Sequence, residues 1–92
     1  MTLPHRKPSV ILREVPEGAI IFSTETEVYF SLNVIGVRVW RLLPPECSDL
    51  EEVIGRIHLD YPDVSRETIA SDVRSLLADL GGEGLVEAQG TL

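Results

Sequence analysis

The chain has 92 residues and a mass of 10.2 kDa, enough for one small domain with a single hydrophobic core. Hydrophobic residues make up 43% and charged residues 25% of it, as in ordinary globular domains, so the composition excludes a disordered chain. No apolar run reaches the ~18 residues of a membrane-spanning helix, and a lone cysteine, Cys47, excludes a disulfide framework and a cysteine-rich zinc site.

The net charge of −7 is concentrated in the second half of the chain. Residues 1–45 carry five basic and four acidic side chains, whereas residues 46–92 carry three basic and eleven acidic ones, a net charge of −8. Nucleic acids and anionic lipid surfaces attract Lys and Arg and repel carboxylates. We therefore expect neither nucleic acid nor a membrane as a partner.

Residues 1–8 contain two prolines and three side chains that can carry positive charge. Such an end is usually loose, so we predict a flexible N-terminus over residues 1–8. Arg6 and Lys7 are not followed by the apolar segment of a secretory signal peptide. Together with the single cysteine, this favours a cytoplasmic location.

Three short strands are predicted next. Residues 10–15 (VILREV) alternate well enough for a short strand, residues 19–23 are rich in β-branched and aromatic side chains, and residues 28–32 alternate again. Short connections, with turn residues at 16–18 and polar residues at 24–27, imply an antiparallel meander.

The third strand places Val28, Phe30 and Leu32 on one face and Tyr29 and Ser31 on the other. It contains neither proline nor lysine, the residues that commonly protect a sheet edge. Its unpaired N–H and C=O groups could therefore accept an extended peptide.

At Asn33 the apolar period changes from 2 to about 3.6 residues, which predicts a helix with Asn33 as its N-cap. Gly36 lies inside this helix at a cost of about 1 kcal/mol relative to alanine, which suggests a close approach of another backbone, that of the sheet. Trp40 is expected in the core. Pro44 and Pro45 end the helix because proline cannot donate the next backbone hydrogen bond.

Two further helices are predicted after these prolines. The second begins at Ser48 or Asp49 and stops before Pro62, and the third runs from Ser65 to the glycine pair at 81–82. The apolar residues of the third helix give the clearest helical periodicity in the chain; they are Ile69, Val73, Leu76, Leu77 and Leu80.

Strands followed by helices predict an α+β domain, with a three-stranded antiparallel sheet and then three helices. We assign this domain to residues 9–87. Residues 85–86 are expected to be a last short extended segment, and residues 88–92 a flexible C-terminus.

Side chains suited to chemistry are sparse. The glycines lack the spacing of a phosphate-binding loop. His58 and Asp60 could be drawn as a metal pair, but a lone histidine near a helix end is more often an ordinary surface residue. Cys47 lies in a predicted loop, and nothing in the sequence suggests a base that would activate its thiol. We therefore predict no metal, no cofactor and no catalytic residue.

Three segments together resemble the PqqD-like family, the precursor-peptide recognition elements of ribosomally made and post-translationally modified peptides. They are NVIGVRVWRLL at 33–43, DLEEVIGRIHLDYP at 49–62 and VSRETIASDVRSLLADLGGEGLV at 64–86. The resemblance implies three antiparallel strands followed by three helices, similar to a winged helix-turn-helix. It implies a protein that performs no chemistry but binds the leader segment of a precursor peptide and presents it to a modifying enzyme.

In that family the leader adds as a strand beside the third strand, in a groove shared with the third helix. For this sequence the resemblance implies a site made of Val28, Tyr29, Phe30, Ser31, Leu32, Ile69, Asp72, Val73 and Leu76. Asp72 is expected to accept a hydrogen bond from the leader or to meet a leader cation. The apolar residues Val28, Phe30 and Val73 are equally compatible with a place in the core.

A free-standing chain of this size is most similar to the recognition protein of lasso-peptide biosynthesis, which serves a leader peptidase. There the leader carries a tyrosine followed three residues later by a proline. We expect the aromatic ring to enter a pocket of Val28 or Phe30 with Val73 or Leu76. A second possibility within the family is the pyrroloquinoline quinone chaperone, which serves a radical enzyme.

Two alternatives from other functional classes stay open. One is a winged-helix DNA-binding regulator, which the acidic second half of the chain opposes. The other is an enzyme subunit that uses Cys47 or His58.

Overall fold

The computed structural model describes residues 2–88 and contains the three predicted strands and three predicted helices in the predicted order. The elements are β1 (His5–Arg6), β2 (Val10–Val15), β3 (Gly18–Ser23), β4 (Tyr29–Asn33), α1 (Val34–Leu42), α2 (Leu50–Asp60), α3 (Arg66–Gly82) and β5 (Val86–Glu87). The α+β prediction is confirmed, and β1 and β5 add a small second sheet. None of the helices within residues 2–88 is long and apolar enough to cross a membrane.

The main sheet has the order β2-β3-β4 and is antiparallel throughout. The central strand is therefore β3, and β2 and β4 are the two edges. One face of the sheet carries the buried residues Ala19 and Ile21, which face the core. The opposite face, with Ile20 and Phe22, is partly exposed.

Gly18 allows β4 to approach the turn between β2 and β3. Its φ is +152°, a backbone conformation that residues with a side chain rarely adopt. A Cβ atom at this position would lie only 1.9 Å from the carbonyl oxygen of Leu32 in β4. The position of β4 therefore depends on a glycine here.

We expect Gly18→Ala to lower the free energy of unfolding by at least about 1–3 kcal/mol, the cost of backbone strain alone. Urea denaturation followed by circular dichroism measures this loss. Gly82→Ala is the control, because a Cβ there meets nothing within 4 Å and alanine stabilises a helix by up to about 1 kcal/mol. A Gly18→Ala protein as stable as the wild type would contradict this close approach of β4.

Side-chain caps start all three helices. Asn33 Oδ1 accepts a hydrogen bond from the Gly36 N–H at 2.8 Å, which confirms the predicted N-cap of α1. Asp49, one of the two residues predicted to start the second helix, caps α2 at 3.0 Å, and Ser65 caps α3 at 3.1 Å. Each cap satisfies a backbone donor that the first helical turn leaves unpaired.

The hydrophobic core lies between the buried face of the sheet and the helices. Its fully buried side chains include Leu3, Ile21, Val39, Leu43, Leu50, Val53, Ile54, Ile57, Ile69, Val73, Leu80 and Leu85. Burial of each such aliphatic side chain contributes roughly 1.5–3 kcal/mol to stability. Trp40 is only 5% exposed, so its predicted place in the core is confirmed.

Residues 2–8 differ from the predicted flexible N-terminus. Leu3 is fully buried, and β1 pairs with β5. The Arg6 guanidinium donates to the carbonyl oxygens of Trp40 and Pro44, at 3.1 and 3.2 Å, near the C-terminal end of α1, where a cation is favourable. These partners are distant in sequence, so the local proline-rich composition could not reveal them. Residues 89–92 of the predicted flexible C-terminus lie outside the described residues.

Candidate functional site

A groove of about 280 Å³ lies between the edge strand β4 and the helices α1 and α3. We call it the β4–α3 groove. Its lining consists of Ser31, Leu32, Asn33, Ile35, Gly36, Val39, Asp72, Val73 and Leu76. A concave site that combines apolar side chains with polar groups is a usual form of a ligand site in proteins.

The bottom of the groove is apolar and comes from all three elements. Leu32 of β4, Val39 of α1 and Val73 of α3 are buried, while Ile35 and Leu76 are half-buried. These side chains belong to the core or pack against it, which fixes their positions. The groove therefore offers a ligand a preformed surface that has apolar and polar parts.

Gly36 helps to give the groove its depth. A Cβ atom at this position would lie 3.3 Å from the side chains of Leu32 and Asn33. These nearest atoms belong to side chains of residues just before the helix, and the close approach of another backbone expected at Gly36 is not among them. A larger residue at position 36 would push into the space that the groove now leaves open.

Polar groups of the groove lie on exposed residues. Asp72 and Ser31 are exposed, but the Ser31 side chain lies on the same face of the sheet as that of Tyr29, away from the core. Within residues 2–88 the Asp72 carboxylate makes no hydrogen bond or ion pair, whereas Asp60 and Glu51 are both paired with arginines. Asp72 is therefore available to accept a hydrogen bond from a bound molecule.

The backbone of β4 offers hydrogen-bonding groups along its outer edge. The Ser23 N–H donates to the Val28 carbonyl at 2.9 Å, so this pair is a hydrogen-bonded pair of the antiparallel ladder. Hydrogen-bonded and non-hydrogen-bonded pairs alternate along such a ladder. The register then directs the backbone groups of Phe30 toward β3 and those of Tyr29 and Ser31 toward the open edge.

Comparison with known protein families shows which family the chain belongs to. The family model of coenzyme PQQ synthesis protein D (PqqD) matches residues 18–86, a range that includes β4 and all three helices. The chain belongs to the PqqD family. This confirms the family resemblance found in the sequence.

A solved structure described as "TbiB1 in Complex with the TbiA(beta) Leader Peptide" is similar to this PqqD-family chain. The TM-score is 0.79 and the sequence identity is 26%, and the match covers 95% of this chain and 99% of the matched one. No curated protein sequence matches the chain significantly.

The PqqD-family fold brings five of the nine predicted site residues together. The five that line the β4–α3 groove are Ser31, Leu32, Asp72, Val73 and Leu76. They come from two elements that are about 40 residues apart in sequence. The family resemblance supplied these five residues, and the apolar spacing of the third helix and the unprotected third strand agreed with it.

The other four predicted residues lie outside the groove lining. Val28 precedes β4 and bonds to β3 through its carbonyl. Phe30 is half-buried against the core, and Ile69 is a core residue that is only 1% exposed. Tyr29 is 71% exposed and points to the opposite face of the sheet. The alternative interpretation of Phe30 as a packing residue agrees with its contacts.

Sequence reasoning did not assign the contribution of α1 to the groove. The groove is lined by the N-cap of this helix and by three of its residues: Asn33, Ile35, Gly36 and Val39. Gly36 was a usable signal, because a glycine inside a helix costs stability and needs a structural reason. The other three have ordinary roles as a cap or as apolar helix residues, so their sequence pattern carries no sign of the groove.

Cys47 and His58 show none of the features of a catalytic or metal site. Cys47 is only 1% exposed, and burial raises the pKa of its thiol above the ordinary value, which disfavours the reactive thiolate. Asp60, the suggested partner of His58, instead forms an ion pair with Arg38. Within residues 2–88 no three metal-ligating side chains come together.

Proposed function

We propose that this PqqD-family chain binds the leader segment of a ribosomally synthesised precursor peptide and presents it to a modifying enzyme, without catalysing a reaction itself. The observation that carries the proposal is the open edge of β4 beside a preformed groove with apolar and polar parts. The similarity to TbiB1, solved with a leader peptide and matched over nearly its whole length, supports the same role.

In the proposed complex the leader extends the sheet as a strand next to β4. Its backbone exchanges hydrogen bonds with the outward N–H and C=O groups of Tyr29 and Ser31. Alternate leader side chains then point into the β4–α3 groove, because successive residues of a strand face opposite sides. Backbone pairing supplies affinity for any extended peptide, and the groove supplies preference for particular side chains.

Asp72 is proposed to accept a charge-assisted hydrogen bond from the leader. We expect Asp72→Asn to weaken leader binding by about 1–3 kcal/mol, roughly 5- to 150-fold in Kd, measured by calorimetry. Asp79→Asn is the matched control, because Asp79 is another exposed acid of α3 that does not line the groove. If both variants lose the same amount of leader affinity, the cause is the change in net charge and not a hydrogen bond to Asp72.

The enzyme served is proposed to be the leader peptidase of a lasso-peptide system in the cytoplasm, as the resemblance to lasso-peptide recognition proteins implies. A second candidate is a chaperone for the radical enzyme of pyrroloquinoline quinone synthesis. The family description, coenzyme PQQ synthesis protein D, favours this second role. Both candidates use the same groove and differ in the peptide and in the enzyme.

Reconstitution with purified components distinguishes the two candidates. A precursor peptide and a leader peptidase of a lasso-peptide system, taken from the neighbourhood of this gene where it encodes them, are mixed with and without this protein, and leader removal is followed by mass spectrometry. A lasso role predicts faster cleavage that Asp72→Asn diminishes. Binding of a pyrroloquinoline quinone precursor peptide, with no effect on any peptidase, would support the second candidate.

A DNA-binding role is disfavoured by the charge of the helical half. Residues 46–92 have a net charge of −8, and the three arginines there are exposed on α2 and α3 among a larger number of acidic residues. Such a surface repels phosphates. A gel shift in low salt is expected to leave duplex DNA free at micromolar protein.

A further inference from the structure

The solvent-facing side of the sheet carries an apolar patch that the proposed groove does not use. Ile11 is 55% exposed and Tyr29 71% exposed, and Ile20 and Phe22 between them are half-buried. Together with Arg13 these residues line a depression of about 280 Å³. We call it the outer-face patch. Large exposed apolar side chains gathered on one surface commonly mark a binding site.

Tyr29 connects this patch to the open edge of β4. Its ring contacts the ring of Phe22, with centroids 4.6 Å apart and planes tilted by 40°, so one side of the phenol is held in place. The two residues are cross-strand partners in the ladder. The remaining surface of the Tyr29 ring lies exposed, next to the backbone groups that would receive an added strand.

We propose that a peptide added to β4 is recognised on both faces of the sheet, with one large apolar or aromatic side chain packed on Tyr29. This proposal rests on the proposed function, because it requires strand addition at β4. Side chains alternate along the added strand, so those that do not enter the β4–α3 groove must lie on the outer face. The one beside Tyr29 meets an aromatic ring that is already supported by Phe22.

The outer face offers a single subsite of this kind. Two residues after Tyr29, the side of β4 that faces outward carries Ser31, which is small and polar. An apolar side chain next to Ser31 would gain little, whereas next to Tyr29 it covers aromatic surface. The peptide is therefore expected to need an apolar residue at the outward position beside Tyr29. The outward position two residues away, beside Ser31, should accept many different side chains.

The peptide strand is a better occupant of this surface than a second copy of the chain. Each copy carries a net charge of −7, which opposes self-association at low ionic strength. A peptide paired with β4 reaches Tyr29 without any rearrangement, because the backbone of Tyr29 belongs to the edge that it occupies.

Selection from a library of random 12-residue peptides displayed on phage tests the proposal whatever the sequence of the natural leader. The immobilised wild-type protein, Tyr29→Ser and Leu59→Ser are used in parallel. Leu59 is the control, since it is 81% exposed on α2, away from the sheet. The wild type and Leu59→Ser are expected to enrich peptides with apolar residues both at positions that face the β4–α3 groove and at an intervening position that faces outward. Tyr29→Ser is expected to keep the preference at the groove-facing positions and to lose the one at the outward position.

Calorimetry with one selected peptide then measures the contact. Replacement of its outward apolar residue by serine should weaken binding to the wild type about 3- to 10-fold and leave binding to Tyr29→Ser nearly unchanged. If the peptides enriched on all three proteins have apolar residues only at the groove-facing positions, the outer-face proposal is overturned but strand addition stays intact. Failure to enrich any peptide on the wild type would overturn the proposed function as well.

Discussion

Ser31→Pro is expected to abolish leader binding while the protein stays folded. The N–H of Ser31 points to the open edge of β4, so proline removes a donor that the added strand needs. The pyrrolidine ring also occupies the space of the incoming backbone and leaves a peptide carbonyl unpaired. Together these effects should cost about 3 kcal/mol or more, at least a hundredfold in Kd by calorimetry.

The matched control is Glu14→Pro on the opposite edge of the sheet. The Thr24 N–H donates to the Ser9 carbonyl at 2.9 Å, and the alternation of the ladder then turns the N–H of Glu14 outward as well. This variant loses an exposed ion pair with Arg41, worth at most about 1 kcal/mol, and should bind the leader normally. Circular dichroism verifies both folds. Normal leader binding by folded Ser31→Pro would exclude docking on β4.

Phe30 shows that the sequence alone does not reveal which backbone N–H groups of β4 point to the open edge. The alternating pattern of residues 28–32 correctly indicated a strand without edge protection, because that pattern is local. The direction of each backbone N–H depends on the pairing with β3, which is not encoded in residues 28–32 alone. The N–H of Phe30 points toward β3, so proline at Phe30 would disrupt the sheet itself, whereas proline at Ser31 tests the edge.

Features that depend on neighbouring residues could be predicted from the sequence, whereas features that depend on distant contacts could not. Asn33 and Ser65 were predictable as caps because a cap bonds to a residue three positions away. Leu3 and Arg6 were not predictable, since their partners lie on α1, β5 and the core. The apolar residues of α3 gave one wall of the groove, while the contribution of Ile35 depends on how α1 packs against β4.

An aromatic leader residue is expected to provide most of the side-chain preference by entering the β4–α3 groove against Leu76. The groove offers the buried Leu32 and Val73 and the half-buried Ile35 and Leu76 in place of the Val28 and Phe30 contacts expected from sequence. Burial of a ring in such a surface contributes roughly 2–3 kcal/mol. Replacement by alanine of the tyrosine that the lasso-peptide resemblance implies in the leader should therefore raise the Kd about 30- to 150-fold.

A double-mutant cycle assigns this preference to Leu76. The wild-type protein and Leu76→Ala are each titrated with the native leader and its Tyr→Ala variant, and the penalty of the leader change should shrink to a few-fold in Leu76→Ala. Leu12→Ala is the control: Leu12 is also a half-buried leucine packed against the core, but it lies on β2, away from the groove. The control should keep the full penalty although it loses similar stability. The same penalty in all three proteins would show that the leader's ring binds elsewhere, and Leu76 would then act only in packing.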